Sequence, residues 1–327
     1  MSHLANVAAD QVIAVIVAYR SGDELVDCVS ALLQAGVRRI VLVDNNDANE
    51  QNVTVAKLAD DPAVRVVVPG GNVGFAAGVN AGAAVALELG ASLLWFVNPD
   101  TVVDARAANQ LAETLLAGDA DLVSPLLTTG SPTAERILFA GGNLDMTRGL
   151  STHADEGKPV TAAPTGLLPC TFITGAAPMI AAAAWQALGG FREDYFLYWE
   201  DAELSYRARQ AGLRLAVVGA ARAWHAVGGS SAISAGHSRA AHYYYSRNRL
   251  LFARDSAHLL GWLLGRGLPY TVADLIWTLR REPTERFGKF RAAFCGVFDG
   301  LRNVRGAARG LSYLHADNAK SQPAASS

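Results

Sequence analysis

Residues 12–19 read VIAVIVAY, an unbroken apolar run, mostly β-branched, with no alternation of polar and apolar side chains. A strand covered on both faces needs such a run, because a parallel sheet lies between two layers of helix and leaves neither face to water. Working outward, the pattern repeats. Leu25, Val29, Leu32 and Leu33 recur at helical spacing through residues 24–34, and Gly36 closes that helix. Further strands are expected over residues 40–43, 64–68 and 93–97, with helices over 53–58 and 75–89 between them. The spacing describes βαβ units on a mainly parallel sheet flanked by helices. Ligands of open sheets bind beyond the carboxyl ends of the strands. Those ends carry Ala18-Tyr19-Arg20, Asp44-Asn45-Asn46, the glycine-rich 70–74 and Asn98-Pro99-Asp100.

The second half is less regular. Residues 170–180 suggest a strand through a small-residue bend, 199–210 a helix closed by Gly212, and 215–218 a strand leading to Trp224-His225. With 327 residues, 51% hydrophobic and 18% charged, the chain has room for one large α/β domain and an appendage. The expected division is a disordered tail over 1–11, a catalytic domain over 12–237, a basic, aromatic-rich helical extension over 238–311, and a second tail over 312–327. Charge separates accordingly. Residues 1–237 hold 14 Lys and Arg against 24 Asp and Glu, a balance of −10, whereas 238–311 hold 13 against 5, a balance of +8. Cys28, Cys170 and Cys295 share no paired spacing, which points to free thiols in a reducing compartment. The N-terminus shows no secretory pattern, and the most apolar stretch, 259–279, contains Arg266, Pro269 and Asp274, so a membrane span is not expected.

Four groups carry candidate chemistry, each with an ordinary structural alternative. Asp100, in Asn98-Pro99-Asp100, suits a divalent cation bridging two phosphates, or a turn that caps the next helix. In Trp199-Glu200-Asp201-Ala202-Glu203, apolar neighbours suggest half-buried carboxylates able to accept a hydroxyl proton, while Glu203 is placed to pair with Arg207. The stretch 70–80, GGNVGFAAGVN, offers close backbone approach and a helix N-terminus to a phosphate, or merely tight helix packing. His225 suits a metal shell that already holds Asp100, or a structural role.

Together these groups resemble family 2 glycosyltransferases with the GT-A fold, in particular the bacterial rhamnosyltransferase-like branch. The resemblance runs over about residues 12–255 through VAYRS, VDNN, NVGFAAGVNAG, NPD, TGAAPMI, FREDYFLYWEDAELSYR, WH and YYYSRNRL. It implies a nucleotide pocket lined by Ala18, Tyr19, Arg20, Asp44, Asn72, Gly74 and Asn98. It further implies Mn²⁺ or Mg²⁺ on Asp100 and His225, with Asp201 as the base of an inverting transfer. Gly175, Ala176, Trp199 and Glu200 would border the acceptor or the sugar, and Arg247 the diphosphate. Asn98 stands where a full DXD motif has its first acid, which removes one charged ligand. The implied donor is a nucleotide-diphospho-sugar, best dTDP-rhamnose, with galactofuranose or another hexose as alternatives. The implied acceptor is a glycan or a polyprenyl-diphosphate-linked glycan of the cell envelope.

For the extension two readings stay open. Its arginines and aromatics suit an anionic membrane surface, giving a cytoplasmic protein peripheral on the inner face of the plasma membrane, or a helical lid packed on the catalytic domain. No nucleic-acid-binding module accompanies the basic residues. Among rival functions, a nicotinamide oxidoreductase lacks its GxGxxG after the first strand, and a nucleotidyltransferase its glycine- and lysine-rich loop. A non-catalytic sugar-binding protein would have little need of Asp100 and Asp201 together.

Overall fold

The computed structural model describes residues 9–47, 49–50, 52–226 and 237–308. Of the expected tail over 1–11, residues 1–8 lie outside the described residues and Ala9–Gln11 form a 3-10 turn; the expected tail over 312–327 and the end of the extension at 309–311 also lie outside them. The chain divides into two compact units. The first comprises 1–144, 151–193 and 200–229; the second comprises 145–150, 194–199 and 230–327.

In the first unit the apolar run forms β1 (Val12–Ala18), buried at every position. Chain order continues through α1 (Glu24–Gln34), β2 (Ile40–Asp44), α2 (Val53–Leu58), β3 (Val64–Val67), α3 (Phe75–Glu88), β4 (Leu93–Val97) and β5 (Thr101–Val103). Next come α4 (Ala107–Leu116), β6 (Leu122–Thr129), β7 (Arg136–Phe139), β8 (Gly142–Asp145) and β9 (Leu150–His153). They are followed by β10 (Leu167–Cys170), β11 (Met179–Ala181), α5 (Ala182–Leu188), α6 (Glu200–Gln210) and β12 (Leu215–His225). The main sheet runs β10-β12-β6-β11-β4-β1-β2-β3, with β5 paired to β12 and β7 to β6.

The sheet is mixed, which corrects the mainly parallel expectation. β3, β2, β1 and β4 are parallel neighbours, as are β6 and β12. β11, however, lies antiparallel between β4 and β6. It enters from the irregular second half, without the crossover helix that a parallel neighbour needs. One consequence matters for the site: residues 174–178, just ahead of β11, are delivered to the carboxyl end of β4.

Helix α3 lies close on β1 and β2 because two of its inward positions carry no side chain. A Cβ on Gly82 would stand 2.4 Å from Val15 Cγ1, and one on Gly78 2.9 Å from Val17 Cγ1. The helix begins at Gly74, whose φ of 87° suits glycine. Its N-terminus thereby points at the strand ends of β1 and β2, where Asn45 accepts from the Val73 N–H at 3.0 Å.

The second unit is helical: α7 (Arg239–Asp255), α8 (Leu259–Leu264), α9 (Gly267–Arg281) and α10 (Arg286–Leu301). α10 crosses α7 at backbone distance, since a Cβ on Gly296 would stand 2.2 Å from the Tyr243 carbonyl oxygen. Arg247 and Asn248 of α7 organise residues 194–199. The Asn248 amide donates to the carbonyls of Tyr195, Leu197 and Tyr198 at 2.8, 2.8 and 2.9 Å. These bonds hold a turn in which Phe196, Tyr198 and Trp199 all have positive φ, a conformation bulky residues keep only when their surroundings impose it.

Candidate active site

Asparagines knit together the carboxyl ends of β1 and β2. Asp44 Oδ1 accepts from Asn46 Nδ2 at 2.5 Å, and Asn46 Oδ1 accepts from the Arg20 N–H at 2.7 Å. Buried Asn45 donates to Asn72 Oδ1 and to the Gly74 carbonyl, both at 3.3 Å, and Asn72 Oδ1 accepts from the Gly74 N–H at 3.0 Å. The Tyr19 hydroxyl meets the Asn72 side chain, and burial holds it above the ordinary tyrosine range. Arg20 lies over the Tyr19 ring at 5.1 Å and pairs with Glu50 at 2.8 Å. Tyr19, Arg20, Asp44, Asn72 and Gly74 therefore share one rim, and Ala18 lies beneath it with no exposed surface. Asn45 and Asn46, which tie the rim together, were legible only as part of VDNN.

At the end of β4 the chain turns at once, with the Thr101 N–H donating to the Asn98 carbonyl at 3.1 Å. β5 then pairs with the end of β12, setting Thr101 opposite His225. The result brings His225 Nε2 to 3.0 Å from Asp100 Oδ1 and 3.4 Å from Asn98 Nδ2. Buried His225 Nδ1 has no hydrogen-bond partner among the described residues. Beneath the turn, the Cys28 thiol donates to the Asn98 carbonyl at 3.4 Å, and burial pushes it far above the ordinary thiol range, which makes it a packing group.

The acidic helix meets the same place from the other side. Asp201 Oδ2 accepts from the Gly175 N–H at 2.9 Å, and Oδ1 from the Ala202 N–H at 2.7 Å. One residue on, the Ala176 carbonyl accepts from the Asn98 N–H at 2.8 Å. Asp201, Gly175, Ala176, Asn98, Asp100 and His225 thus form one connected row of backbone and side-chain bonds. Burial raises the Asp201 carboxyl, while the N–H groups of Gly175 and Ala202, and then His153, pull it back. Glu200 has only its own backbone N–H to pull it back. Burial, and then the Asp201 charge, push it well above the usual carboxylate range, and its Oε2 lacks a partner among the described residues. Of the two neighbours, Glu200 takes a proton first, leaving Asp201 ionised.

Several expected contacts are placed elsewhere. Arg247 has no exposed surface. Its guanidinium donates to the Gly306 carbonyl at 2.5 Å, to the Tyr195 carbonyl at 2.9 Å and to Asn248 Oδ1 at 2.8 Å. That corrects the diphosphate role: a guanidinium consumed by carbonyls inside its own unit presents no charge to a ligand. Trp199 is buried too, its ring 5.3 Å from Phe252 and 5.6 Å from Tyr245. Asn80 is structural, bonded through its side chain to both the N–H and the carbonyl of Phe191. Glu203 grips Arg207 at 2.7 and 2.8 Å, and Arg207 in turn donates to the carbonyls of Leu188 and Gly190. His153, beside Asp201, carried no signal in the sequence; it arrives on an irregular hairpin.

Residues 13–137 match the family model described as Glycosyl transferase family 2. The low-salt glycan biosynthesis hexosyltransferase Agl10 of Haloferax volcanii is 25% identical over 214 residues, which are 63% of this chain and 64% of that protein. The match therefore spans a little under two thirds of that relative's length. A crystal structure of GalNAc-T7 with UDP, GalNAc and Mn²⁺ superposes with a TM-score of 0.57 at 15% identity, over 94% of this chain and 57% of that one. Residues 1–349 of S. aureus TarS superpose with a TM-score of 0.50 at 13% identity, over 88% of this chain and 80% of that one. The fold is GT-A, as the sequence resemblance implied.

Proposed function

We propose that this chain, whose residues 13–137 match the glycosyl transferase family 2 model, moves a hexose from a nucleotide diphosphate donor to an acceptor hydroxyl with inversion. The observation that carries this reading is the row joining Asp201 through Gly175 and Ala176 to Asn98 and Asp100. It sets a carboxylate suited to taking a proton beside a turn suited to a diphosphate.

The residues present fit a divalent cation. Asp100 offers an oxygen and His225 a nitrogen 3.0 Å away, while no cluster of three or more His, Cys, Asp or Glu forms a closed protein shell among the described residues. A Mg²⁺ or Mn²⁺ site commonly keeps positions for water and substrate phosphate. When bound there, such an ion offsets the charge of the departing nucleoside diphosphate. The chain's own groups do the rest. Tyr19, Asp44, Asn72 and Gly74 orient the nucleotide, and the N-terminus of α3 favours its negative charge. Asp201 takes the acceptor proton as the acceptor oxygen bonds to C1 and the bond from C1 to the phosphate oxygen breaks. Asp201 is held for this by the two N–H groups that fix its oxygens.

The donor favoured by the resemblance is dTDP-rhamnose, with galactofuranose and other hexoses next. The acceptor favoured is a glycan, free or polyprenyl-diphosphate-linked. A panel of nucleotide sugars, assayed for binding and for slow hydrolysis with Mn²⁺, with Mg²⁺ and with chelator, tests the reading. One donor that binds and turns over only with metal is expected; absence of any nucleotide-sugar binding would remove the proposal.

A further inference from the structure

Two helices of the second unit face the opposite way from ordinary surface helices. α9 buries Gly267, Thr271 and Thr278, which lie at helical spacing on one face. Its large apolar residues look outward: Leu268, Tyr270, Val272, Ile276 and Trp277 are 45%, 38%, 48%, 44% and 49% exposed. The inward face is polar for a reason, since Arg249 of α7 donates to the Thr271 hydroxyl at 2.7 Å and lies 5.2 Å from the Tyr270 ring centre. α10 repeats the arrangement. It buries Lys289, Ala292, Ala293, Gly296 and Gly300 and leaves Phe287, Phe294 and Phe298 more than half exposed. A soluble helix normally turns its apolar stripe to the core. Exposed apolar faces of this extent mark an interaction surface.

Charge identifies what covers them. Arg266, Arg280, Arg281 and Arg286 are exposed at the ends of α9 and the start of α10. No ion pair joins any of the four to an acid among the described residues. The five acids among the described residues of 238–308 are engaged within the unit: Asp255 with Arg305, Asp274 with Arg249 at 3.9 Å, Glu282 with Lys289, Glu285 with Arg239, and Asp299 with the Tyr243 hydroxyl. An apolar face rimmed by unpaired arginines complements an anionic bilayer, where apolar side chains enter the headgroup boundary and arginines stay among phosphates. Tyr270 and Trp277, seven residues apart on one helix, are the residue types that settle at that boundary. A second copy of the same face suits it poorly, because a two-fold contact brings like patches together and would set arginine against arginine. Among the described residues no helix is long and apolar enough to cross a membrane.

We infer that the outward faces of α9 and α10 dock this protein on the surface of an anionic lipid bilayer, with Leu268, Val272, Ile276, Trp277, Phe294 and Phe298 inserted and the flanking arginines on headgroups. Docking is independent of the transferase reading, because it is measured without donor or turnover. The test is co-sedimentation of the full chain with phosphatidylcholine vesicles, with and without phosphatidylglycerol. Binding to the anionic vesicles, much weaker on the neutral ones and reduced by salt, is expected. Each basic side chain near such a surface contributes roughly fivefold in affinity, so Arg280→Ala with Arg281→Ala should weaken binding about 25-fold. Ile276→Ser with Trp277→Ser, and separately Phe294→Ser, change exposed positions and should also release the protein from vesicles. Absence of vesicle binding, or variants that bind as tightly as the parent, would overturn the inference. So would a lipid-free dimer that the Ile276→Ser, Trp277→Ser variant dissolves, which would assign the face to a second copy.

Discussion

Asp201 and Glu200 are adjacent in the chain, and their surroundings treat the two carboxyls differently. Two N–H groups hold Asp201 as the anion, while Glu200 is buried without a donor for its Oε2 among the described residues. Asp201→Asn keeps the shape and loses the basicity, so turnover should fall by about 10²–10⁴-fold with nucleotide-sugar affinity retained. Turnover itself should fall toward acid pH from a point above the ordinary carboxylate range, because burial raises Asp201. For Glu200 the sign is worked through stability. A carboxyl raised in the folded state and ordinary in the unfolded one destabilises the fold as pH rises from the unfolded value, about 4.3, through the folded value. Glu200→Gln should therefore melt at a higher temperature than the parent at neutral pH, and the difference should vanish near pH 4. Arg247 belongs at this scale as well. Arg247→Met should lower stability by on the order of 3 kcal/mol, since it strips a donor from the Tyr195 and Gly306 carbonyls. The Michaelis constant for the donor should not move, whereas a diphosphate contact would raise it many-fold.

Among the elements, α3 shows how strictly the sheet sets its cover. A methyl at position 82 would strike Val15 Cγ1 at 2.4 Å and Val43 Cγ2 at 2.8 Å, so Gly82→Ala should cost about 1–3 kcal/mol in denaturant unfolding. The parallel half of the sheet was legible because its strands are apolar on both faces and its helices carry a clean stripe; helix Glu24–Gln34 and strand Leu93–Val97 fall where the sequence places them. The second half was not, for identifiable reasons. β12 runs on from Val218 to His225 across Gly219, with an irregular register to β6 between Val218 and Arg222, so no apolar run marks its extension. β5 is three residues long and forms only by pairing with that extension. Asp100, Asp201 and His225 were legible as chemistry, but what joins them is backbone: the amide of Gly175 and the carbonyl of Ala176, which no side-chain pattern announces. Arg247 misled for the complementary reason, since a basic residue near an aromatic run looks the same in sequence whether it meets phosphate or carbonyls.

Across the whole chain, the site is assembled from distant stretches of sequence that one sheet edge gathers: residues 18–20, 44–46, 72–74, 98–100, 175–176, 201 and 225 all belong to the first unit. The separation of charge, −10 over residues 1–237 and +8 over 238–311, puts the acidic excess in the stretch of sequence that carries the proposed site and the basic excess in the stretch that carries the proposed bilayer face. The most direct test of the central claim is calorimetric titration of the nucleoside diphosphate product with Mn²⁺ into the parent, Asp100→Asn and Asp201→Asn proteins, with transfer measured on the same samples. Metal-dependent binding should be lost in Asp100→Asn and retained in Asp201→Asn, while transfer fails in both. Undiminished metal-dependent binding by Asp100→Asn, or full transfer by Asp201→Asn, would contradict the account.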